Sequence, residues 1–200
     1  MSGGKLEKAI IGAGGFAREV RASLNLPNIK FFVDEEYEKI EENIYGLSKF
    51  DPSKYEVIIA IGDPIDRANM VNKLPKNTHY FTFIDSSVQI LDKNIEIGEG
   101  SIICAGSIIT TNIRLGKHTH LNLLTTIGHD VTSGDYLTTA PGAKISGNVN
   151  IKDCVYIGTN ASIKEKLKIH NNVIIGSNAA VVKDINTSGV YVGVPTKKIK

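Results

Sequence analysis

From Ile145 to Ala180 the sequence reads ISGNVN-IKDCVY-IGTNAS-IKEKLK-IHNNVI-IGSNAA, six hexapeptides that each begin with isoleucine. The same register extends from Leu91 to Val181, and its first position is Leu, Ile or Val everywhere except at Ser133 and Thr139. A helical face repeats every 3.6 residues and a strand face every 2, so neither explains a strict period of six. Such a period predicts a parallel β-helix, in which each hexapeptide forms one short strand and one corner.

A second series supports the same fold. The residue four places after each branched position, from Ile95 to Ala179, is always apolar or a small hydroxyl residue. We expect the branched side chain to fill the interior and the smaller one to lie beside it. Glycine often follows the branched residue, and the corners need unusual backbone angles that Gly, Asn and Asp tolerate. Three hexapeptides complete one triangular coil, so the stretch predicts about five coils. Because Ser133 and Thr139 are polar, we expect a distorted coil there.

Composition limits the function classes. The 200 residues suit one large domain or two small ones. A formal net charge of +2 is too small to indicate nucleic-acid binding, and no apolar run is long enough to span a membrane. Residues 1–8 lack the apolar core of a signal peptide, so we expect a cytoplasmic protein. Cys104 and Cys154 fall in different coils and indicate neither a disulfide framework nor a metal motif.

Residues 1–86 are predicted to form a small α/β domain. Apolar runs at 9–11, 30–33 and 55–61 read as parallel strands, and residues 18–24 and 64–74 read as helices. The turn Gly12–Ala17 (GAGGFA) fits a phosphate-binding turn, because glycine lets a diphosphate approach the amides of a helix N-terminus. Asp34 follows about 20 residues later, where a ribose-binding acid would lie.

A nicotinamide-dependent oxidoreductase is one interpretation of this glycine turn. The residues before the repeat suffice for one mononucleotide-binding half and not for two. We therefore expect the turn to hold the diphosphate of a nucleotide-linked ligand. A purely structural strand-to-helix turn is the alternative.

The two parts together resemble the bacterial sialic acid O-acetyltransferase and nucleotide 4-amino-sugar N-acetyltransferase family of hexapeptide-repeat acyltransferases. The resemblance covers nearly the whole chain and rests on motifs in the family's order: Gly12–Gly15, Val33–Asp34, Ala60–Asp63 with Arg67, Ile127–Asp130, Ala140–Ala143, Ile145–Asn148 and Gly193–Lys197. It implies a Rossmann-like, nucleotide-sugar-binding domain at 1–86. It also implies a left-handed, acetyl-CoA-binding β-helix at 87–200, which we expect Gly189–Pro195 to cap.

The resemblance also implies site residues. The nucleotide sugar would be bound by Gly12, Ala13, Gly14, Gly15, Phe16, Asp34, Glu35, Ile61, Gly62, Asp63 and Arg67. Acetyl-CoA, the co-substrate, would lie between neighbouring prisms of a homotrimer, near Thr138, Gly147, Thr159, Ser177 and Lys197. His129 would be the general base, tuned by Asp130 and supported by Asn122. No metal is expected.

The implied chemistry suits these residue types. A sugar amine or hydroxyl that attacks the thioester of acetyl-CoA must lose a proton, and a histidine with a pKa near neutrality can accept it. A neighbouring carboxylate can orient the imidazole and stabilise its cation. Neither cysteine has a base beside it in sequence, so we expect direct transfer without an acetyl-enzyme.

The acceptor is the open question. Phe16 and Thr138 stand where several relatives have histidine. We expect a nucleotide-linked amino sugar for surface glycans such as lipopolysaccharide, with UDP, dTDP or GDP as the nucleotide. O-acetylation of a sialic acid is the nearest alternative.

Two alternatives come from other classes. One is a zinc hydratase of the γ-carbonic anhydrase kind, which would bind metal through His118, His120 and His129 across an interface. The other is a non-catalytic nucleotide-sugar-binding module. In the preferred interpretation, His118 and His120 share one face of a strand at the trimer interface or the surface.

Overall fold

Five parallel strands form the first part of the structure, a computed structural model that describes residues 5–200. They are β1 (Glu7–Ile11), β2 (Lys30–Val33), β3 (Ile44–Gly46), β4 (Tyr55–Ile59) and β5 (His79–Tyr80). The order across the sheet is β3-β2-β1-β4-β5, and every neighbouring pair is parallel. The three predicted strands are confirmed. The two that sequence reasoning missed are short and lie at the sheet edges.

One helix covers each face of this sheet. The helices are α1 (Gly15–Leu24) and α2 (Pro64–Lys73), and three 3₁₀ turns lie at Glu35–Tyr37, Ile40–Glu42 and Leu47–Lys49. Ile10 and Ile58 belong to the core on the α1 side, whereas Ile11 and Ile59 belong to the core on the α2 side. Alternating side chains thus bury the central strands on both faces, which explains their continuous apolar runs.

The remaining strands form the predicted left-handed parallel β-helix. In chain order they are β6 (Phe83–Ile84), β7 (Gln89–Ile90), β8 (Ile95–Ile97), β9 (Ile102–Ile103), β10 (Ile108–Ile109), β11 (Ile113–Leu115), β12 (His120–Leu121), β13 (Thr126–Ile127), β14 (Thr132–Ser133), β15 (Thr138–Thr139), β16 (Lys144–Ile145), β17 (Asn150–Ile151), β18 (Tyr156–Ile157), β19 (Ser162–Ile163), β20 (Lys168–Ile169), β21 (Val173–Ile175), β22 (Ala180–Val181), β23 (Gly189–Val192) and β24 (Lys197–Lys198).

Every third strand stacks in register, so the prism has three faces. Face 1 contains β6, β9, β12, β15, β18, β21, β23 and β24; face 2 runs from β7 to β22; and face 3 runs from β8 to β20. We call the corner between faces 1 and 2 the 1–2 edge, and name the 2–3 and 3–1 edges in the same way. The prism begins at Phe83, which pairs with Ile102, slightly before the predicted boundary at residue 87.

The interior follows the six-residue period as predicted. The Leu, Ile and Val residues at the first position from Ile103 onward are buried, and they form one continuous core with the smaller series. Ser133 and Thr139 lie in paired strands, but the expected distortion is present locally at Ser133. β11 pairs with β14 only through Arg114 and Thr132, and the Gly116 amide donates to the Ser133 hydroxyl where Gly98 and Gly134 donate to carbonyls. The hydroxyl groups of Ser133 and Thr139 are satisfied inside the stack: the hydroxyls of Thr139 and Thr125 are 2.8 Å apart, and Ser133 accepts a hydrogen bond from the Gly116 amide at 3.3 Å.

The predicted corner angles are confirmed for Asn and Asp, but the glycines directly after the branched position do not adopt them. Left-handed backbone angles recur three residues after the branched position. Asparagine and glycine are the commonest residues there, as at Asn112 (φ 53°), Asn148 (φ 57°) and Gly142 (φ 73°). The glycines directly after the branched position are needed for close approach instead. A Cβ on Gly116 would lie 2.3 Å from the Gly134 carbonyl oxygen, and one on Gly158 would lie 2.6 Å from the Ser177 nitrogen.

The chain end covers the last coil. β23 extends face 1 by pairing in parallel with β21, and β24 then turns back antiparallel to β23. The predicted strand and turn at Gly189–Pro195 are therefore confirmed, with one further strand at Lys197–Lys198.

No helix among residues 5–200 combines the length and the apolar character needed to cross a bilayer.

Candidate active site

His129 and Asp130 form a hydrogen-bonded pair on the 2–3 edge. The His129 Nδ1 and Asp130 Oδ2 atoms are 2.8 Å apart, and the two side chains are 59% and 41% exposed. A left-handed backbone at Asp130 (φ 60°) places this corner residue beside its neighbour. With the Nδ1 proton directed at the carboxylate, the Nε2 atom is the nitrogen that can accept a proton.

Asn112, which sequence reasoning missed, completes this arrangement. It occupies the corner one coil earlier, and its Nδ2 donates to Asp130 Oδ1 at 2.5 Å. This hydrogen bond, followed by the one to His129, lowers the pKa of Asp130 below its usual value. The carboxylate therefore stays ionised at neutral pH. The signal was available, because Asn112 and Asp130 occupy equivalent positions in successive coils.

Gly147 lies directly beside the free nitrogen of His129. A Cβ at this position would be 2.5 Å from His129 Nε2. The predicted acetyl-CoA contact is thus adjacent to the predicted base, and the missing side chain keeps the Nε2 atom accessible.

A cavity of about 360 Å³ lies between the first domain and face 1. It brings together five predicted site residues: Gly15, Phe16, Gly62, Asn122 and Thr138. Asn122 Oδ1 accepts a hydrogen bond from the Leu123 amide at 2.8 Å, which leaves the Nδ2 group to face a ligand. His129 is not part of this cavity. Asn122 lies on the 1–2 edge and His129 on the 2–3 edge, so a single chain does not bring them together.

A second cavity, of about 490 Å³, lies over the glycine turn. Its lining includes five predicted residues: Gly12, Ala13, Gly14, Asp34 and Ile61. Gly12 has a φ of 98°, which favours glycine, and Gly14 caps α1 without a side-chain hydrogen bond. The α1 amides can therefore receive an anionic group. The lining also includes Arg18 and Lys39, which sequence reasoning missed.

The two acidic residues after β2 have different surroundings. Asp34 lines the glycine-turn cavity and pairs with Lys73, whose Nζ lies 3.0 Å from Oδ1. Glu35 instead accepts hydrogen bonds from the Ser48 amide at 2.8 Å and the Ser48 hydroxyl at 3.2 Å. Its carboxylate packs over Gly46. The position of Glu35 thus differs from its predicted role as a substrate ligand, because it holds a loop of its own domain.

Asp63 and Arg67 also serve the fold. Asp63 caps α2, accepting from the Ile65 and Asp66 amides at 2.8 and 3.0 Å. Arg67 is fully buried where the first domain meets the 3–1 edge. Its guanidinium donates to the carbonyls of His118 (3.0 Å) and Tyr136 (3.0 Å) on the prism.

The same guanidinium also binds its own domain and face 1. It donates to the Ile61 carbonyl at 2.7 Å and to the Thr138 hydroxyl at 2.8 Å. Burial lowers the pKa of Arg67 to about 9. Its position differs from the predicted role in substrate binding: Arg67 lines neither of the two cavities and joins the domains.

His118 and His120 are not at the surface, which corrects our expectation. They are 3% and 1% exposed, because the first domain covers them. His118 stacks on Tyr136 with ring centroids 5.5 Å apart, and His120 lies 5.2 Å from the Phe16 ring. Burial lowers the pKa of His118 to about 4.

The residues predicted to contact acetyl-CoA are divided among several parts of the prism. Thr159 and Ser177 occupy the 1–2 edge in successive coils above Asn122, and the Asn178 amide bonds to the Thr159 carbonyl at 2.8 Å. Gly147 belongs to the 2–3 edge, and Lys197 lies on β24. Thr138 is buried, with its hydroxyl donating to the Gly62 carbonyl at 2.9 Å.

The chain is similar to proteins of known sequence and structure. Residues 8–74 match the family model described as the PglD N-terminal domain. GDP-perosamine N-acetyltransferase of Escherichia coli O157:H7 is 31% identical over 167 residues, which cover 75% of this chain and 74% of that protein.

Two solved structures share the complete fold. WeeI from Acinetobacter baumannii AYE is 31% identical with a TM-score of 0.86, over 98% of this chain and 100% of that one. PerB from Caulobacter crescentus, in complex with CoA and GDP-perosamine, is 23% identical with a TM-score of 0.86, over 96% and 97% of the two chains. Identity and coverage together show that this chain belongs to the hexapeptide-repeat family of nucleotide amino-sugar N-acetyltransferases.

Proposed function

We propose that this protein transfers the acetyl group of acetyl-CoA to the amine of a nucleotide-linked amino sugar, such as a 4-amino-4,6-dideoxy sugar. The observation that carries the proposal is the exposed His129–Asp130 pair, in a chain related to a GDP-perosamine N-acetyltransferase. The cytoplasm and the synthesis of surface glycans such as lipopolysaccharide are the proposed setting.

The proposed mechanism uses His129 as the general base. The amine nitrogen attacks the thioester carbonyl carbon, a C–N bond forms, and the C–S bond breaks. His129 Nε2 accepts the proton that the nitrogen loses and returns it to the departing thiolate, so CoA leaves as a thiol. Positioned proton transfer of this kind contributes roughly 10²–10⁴ in rate. Asp130 holds the Nδ1 proton and stabilises the imidazolium.

The first domain would bind the nucleotide part of the acceptor. The glycine turn and the first amides of α1 favour a diphosphate, and Arg18 lines the same cavity. The proposed division is therefore nucleotide-sugar binding by residues 1–86 and acetyl-CoA binding by residues 87–200. Thr159, Ser177 and Lys197 remain the proposed acetyl-CoA contacts on face 1 and its edge.

A homotrimer would complete the site. The proposed base lies on the 2–3 edge and Asn122 on the 1–2 edge. Packing of neighbouring prisms around a threefold axis would place the 2–3 edge of one prism against the 1–2 edge of the next. Leu123 and Leu124 on the 1–2 edge are 42% and 60% exposed in the single chain. Exposed apolar side chains of this kind favour a neighbouring protomer that covers them. Acetyl-CoA would then lie between two protomers.

The arrangement of the histidines argues against the hydratase alternative. The hydratase hypothesis requires His118, His120 and His129 to converge at a surface between prisms. His118 and His120 are covered by the first domain of the same chain, so they do not reach the edge that carries His129. For the acceptor, the N-acetyltransferase relative favours an amine over the hydroxyl of a sialic acid.

A thiol-release assay with acetyl-CoA tests the proposal. The acceptors are GDP-perosamine, UDP- and dTDP-linked 4-amino sugars, and free sialic acid, with His129→Ala beside the wild type. We expect turnover of one amino sugar and a loss of about 10²-fold or more in kcat for the variant. Turnover of sialic acid alone would replace the proposed acceptor, and binding of sugars without any transfer would support the non-catalytic alternative.

A further inference from the structure

His120 is a buried polar side chain whose role the fold leaves unexplained. It lies on β12 and is 1% exposed, and neither Nδ1 nor Nε2 has a hydrogen-bond partner within residues 5–200. Protein interiors contain few such groups, because an unpaired polar atom loses its hydration and gains nothing in return. Two unpaired nitrogens on one ring therefore indicate a partner that the chain itself does not supply.

The position of the ring indicates where that partner would be. His120 lines the 360 Å³ cavity between the domains, together with Phe16, Gly62 and Asn122. Two other polar atoms on this wall are already used: the Thr138 hydroxyl binds Gly62 and Arg67, and Asn122 Oδ1 binds the Leu123 amide. His120 is thus an unused hydrogen-bonding group in the wall of this cavity.

The charge of the ring limits the chemistry of the partner. Burial, and then the positive charge of Arg67, lower the pKa of His120 well below its usual value. The Ile59 carbonyl opposes this shift but does not meet hydrogen-bond geometry with either nitrogen. The ring is therefore neutral, with one donor and one acceptor. A hydroxyl group, which also donates and accepts, matches this pair better than a phosphate or an ammonium group does.

The two cavities are arranged so that one ligand can occupy both. Gly14 lines the cavity over the glycine turn, and the next residue, Gly15, lines the cavity that contains His120. The same holds for Ile61 and Gly62 after β4. A nucleoside diphosphate at the glycine turn would therefore direct its sugar past the start of α1 toward His120.

We propose that His120 binds a hydroxyl group of the acceptor sugar and so helps to determine which nucleotide amino sugar is accepted. This inference rests on the proposed function, because it assigns the cavity to the sugar of that acceptor. His120 would be a substrate-binding residue that completes its hydrogen bonds only when the acceptor is present.

The variant His120→Phe tests this assignment, since it keeps the ring against Phe16 and removes both nitrogens. We expect the KM for the accepted amino sugar to rise about tenfold, as for the loss of one or two neutral hydrogen bonds. The KM for acetyl-CoA should not change. The midpoint of thermal unfolding without ligands should stay equal or rise, because unpaired buried atoms are removed. His120→Gln, which restores a donor and an acceptor, should give an intermediate KM.

His118→Asn is the matched control. His118 is also covered by the first domain and has an unpaired Nδ1, but it lines the groove beside Tyr80 instead of the cavity. Asparagine tolerates its left-handed backbone (φ 53°). This variant should leave the KM for the amino sugar unchanged, whereas a rise equal to that of His120→Phe would overturn the proposal.

Two further outcomes would overturn the assignment. An unchanged sugar KM in His120→Phe would show that the ring does not contact the acceptor. A lower unfolding midpoint with equal rises in both KM values would show a structural role. Calorimetric titration with GDP-perosamine compares the wild type and His120→Phe even without turnover. It therefore separates failure of this inference, seen as equal affinities, from failure of the proposed reaction.

Discussion

Asn112, Asp130 and His129 show how a repeat can place a functional group. A left-handed corner residue recurs in four successive coils of the 2–3 edge, and the first two, Asn112 and Asp130, form a hydrogen bond of 2.5 Å. The asparagine holds one carboxylate oxygen, so the other is directed at His129 Nδ1. The orientation of the proposed base, His129, therefore depends on a residue that does not touch it.

Replacing Asn112 by alanine should lower kcat about three- to tenfold, in line with the loss of one hydrogen bond to an exposed charged group. Asp130 would lose the main cause of its lowered pKa, so its pKa should rise toward the usual value. Steady-state rates with the accepted amino sugar, and NMR titration of the Asp130 carboxyl, measure the two effects.

Asn172→Ala is the control for this prediction. Asn172 has the same left-handed backbone (φ 55°) on the 3–1 edge, away from His129. Both variants carry the same conformational cost, so the difference in kcat isolates the contact with Asp130. Equal rates in the two variants would contradict a positioning role for Asn112.

Among the elements, α2 is the one that attaches the first domain to the prism. Arg67, one turn into this helix, donates to carbonyls on two successive coils and to the Thr138 hydroxyl. These acceptors have no carboxylate among them, so the buried guanidinium is held by main-chain dipoles. The helix and the prism corner therefore depend on each other.

Replacing Arg67 by methionine should reduce the free energy of unfolding by about 2–4 kcal/mol, because buried carbonyls lose their donors. Lysine should not restore the loss, since an ammonium group cannot reproduce the planar fork. Urea unfolding measures the change. Arg114→Met, at a surface ion pair with Glu96, is the control and should cost less than about 1 kcal/mol. Equal losses of unfolding free energy in Arg67→Met and Arg114→Met would contradict a role for Arg67 in joining the domains.

Elements differ in how well the sequence predicts them. The β-helix is predictable almost residue by residue, because each hexapeptide repeats the same requirement for one buried branched side chain. β3 is not, since its three residues, Ile44–Gly46, offer too little alternation to recognise. His129 and Asp130 are adjacent in sequence and were found together. The surroundings of Arg67, Glu35 and His120 could not be predicted, because they come from distant segments, which no local pattern reveals.

At the scale of the whole molecule, the proposed site is divided between two edges of the prism. If each site combines His129 of one protomer with Asn122 of another, inactive variants should complement each other. Mixing His129→Ala with Asn122→Ala after joint refolding should restore about a quarter of the wild-type activity, the share of interfaces with both residues intact. Thiol release by each variant alone, refolded in the same way, is the baseline.

Two results would contradict a shared site. Mixed protein as inactive as the separate variants would place both residues in one protomer. A mass in solution equal to the 21.7 kDa of a single chain would do the same. Light scattering after size-exclusion chromatography gives that mass directly.

The Arg67 contact has a consequence for a prism that is built of nearly identical coils. The two carbonyls of the prism that accept its hydrogen bonds, those of His118 and Tyr136, lie one coil apart, and Thr138 lies beside them. If the first domain were shifted along the prism by one coil, Arg67 would meet similar backbone carbonyls but would lose the Thr138 hydroxyl. Arg67 thus fixes which coils of the repeating prism the first domain binds. A prism that could offer the same docking place several times over therefore receives the first domain at a single level.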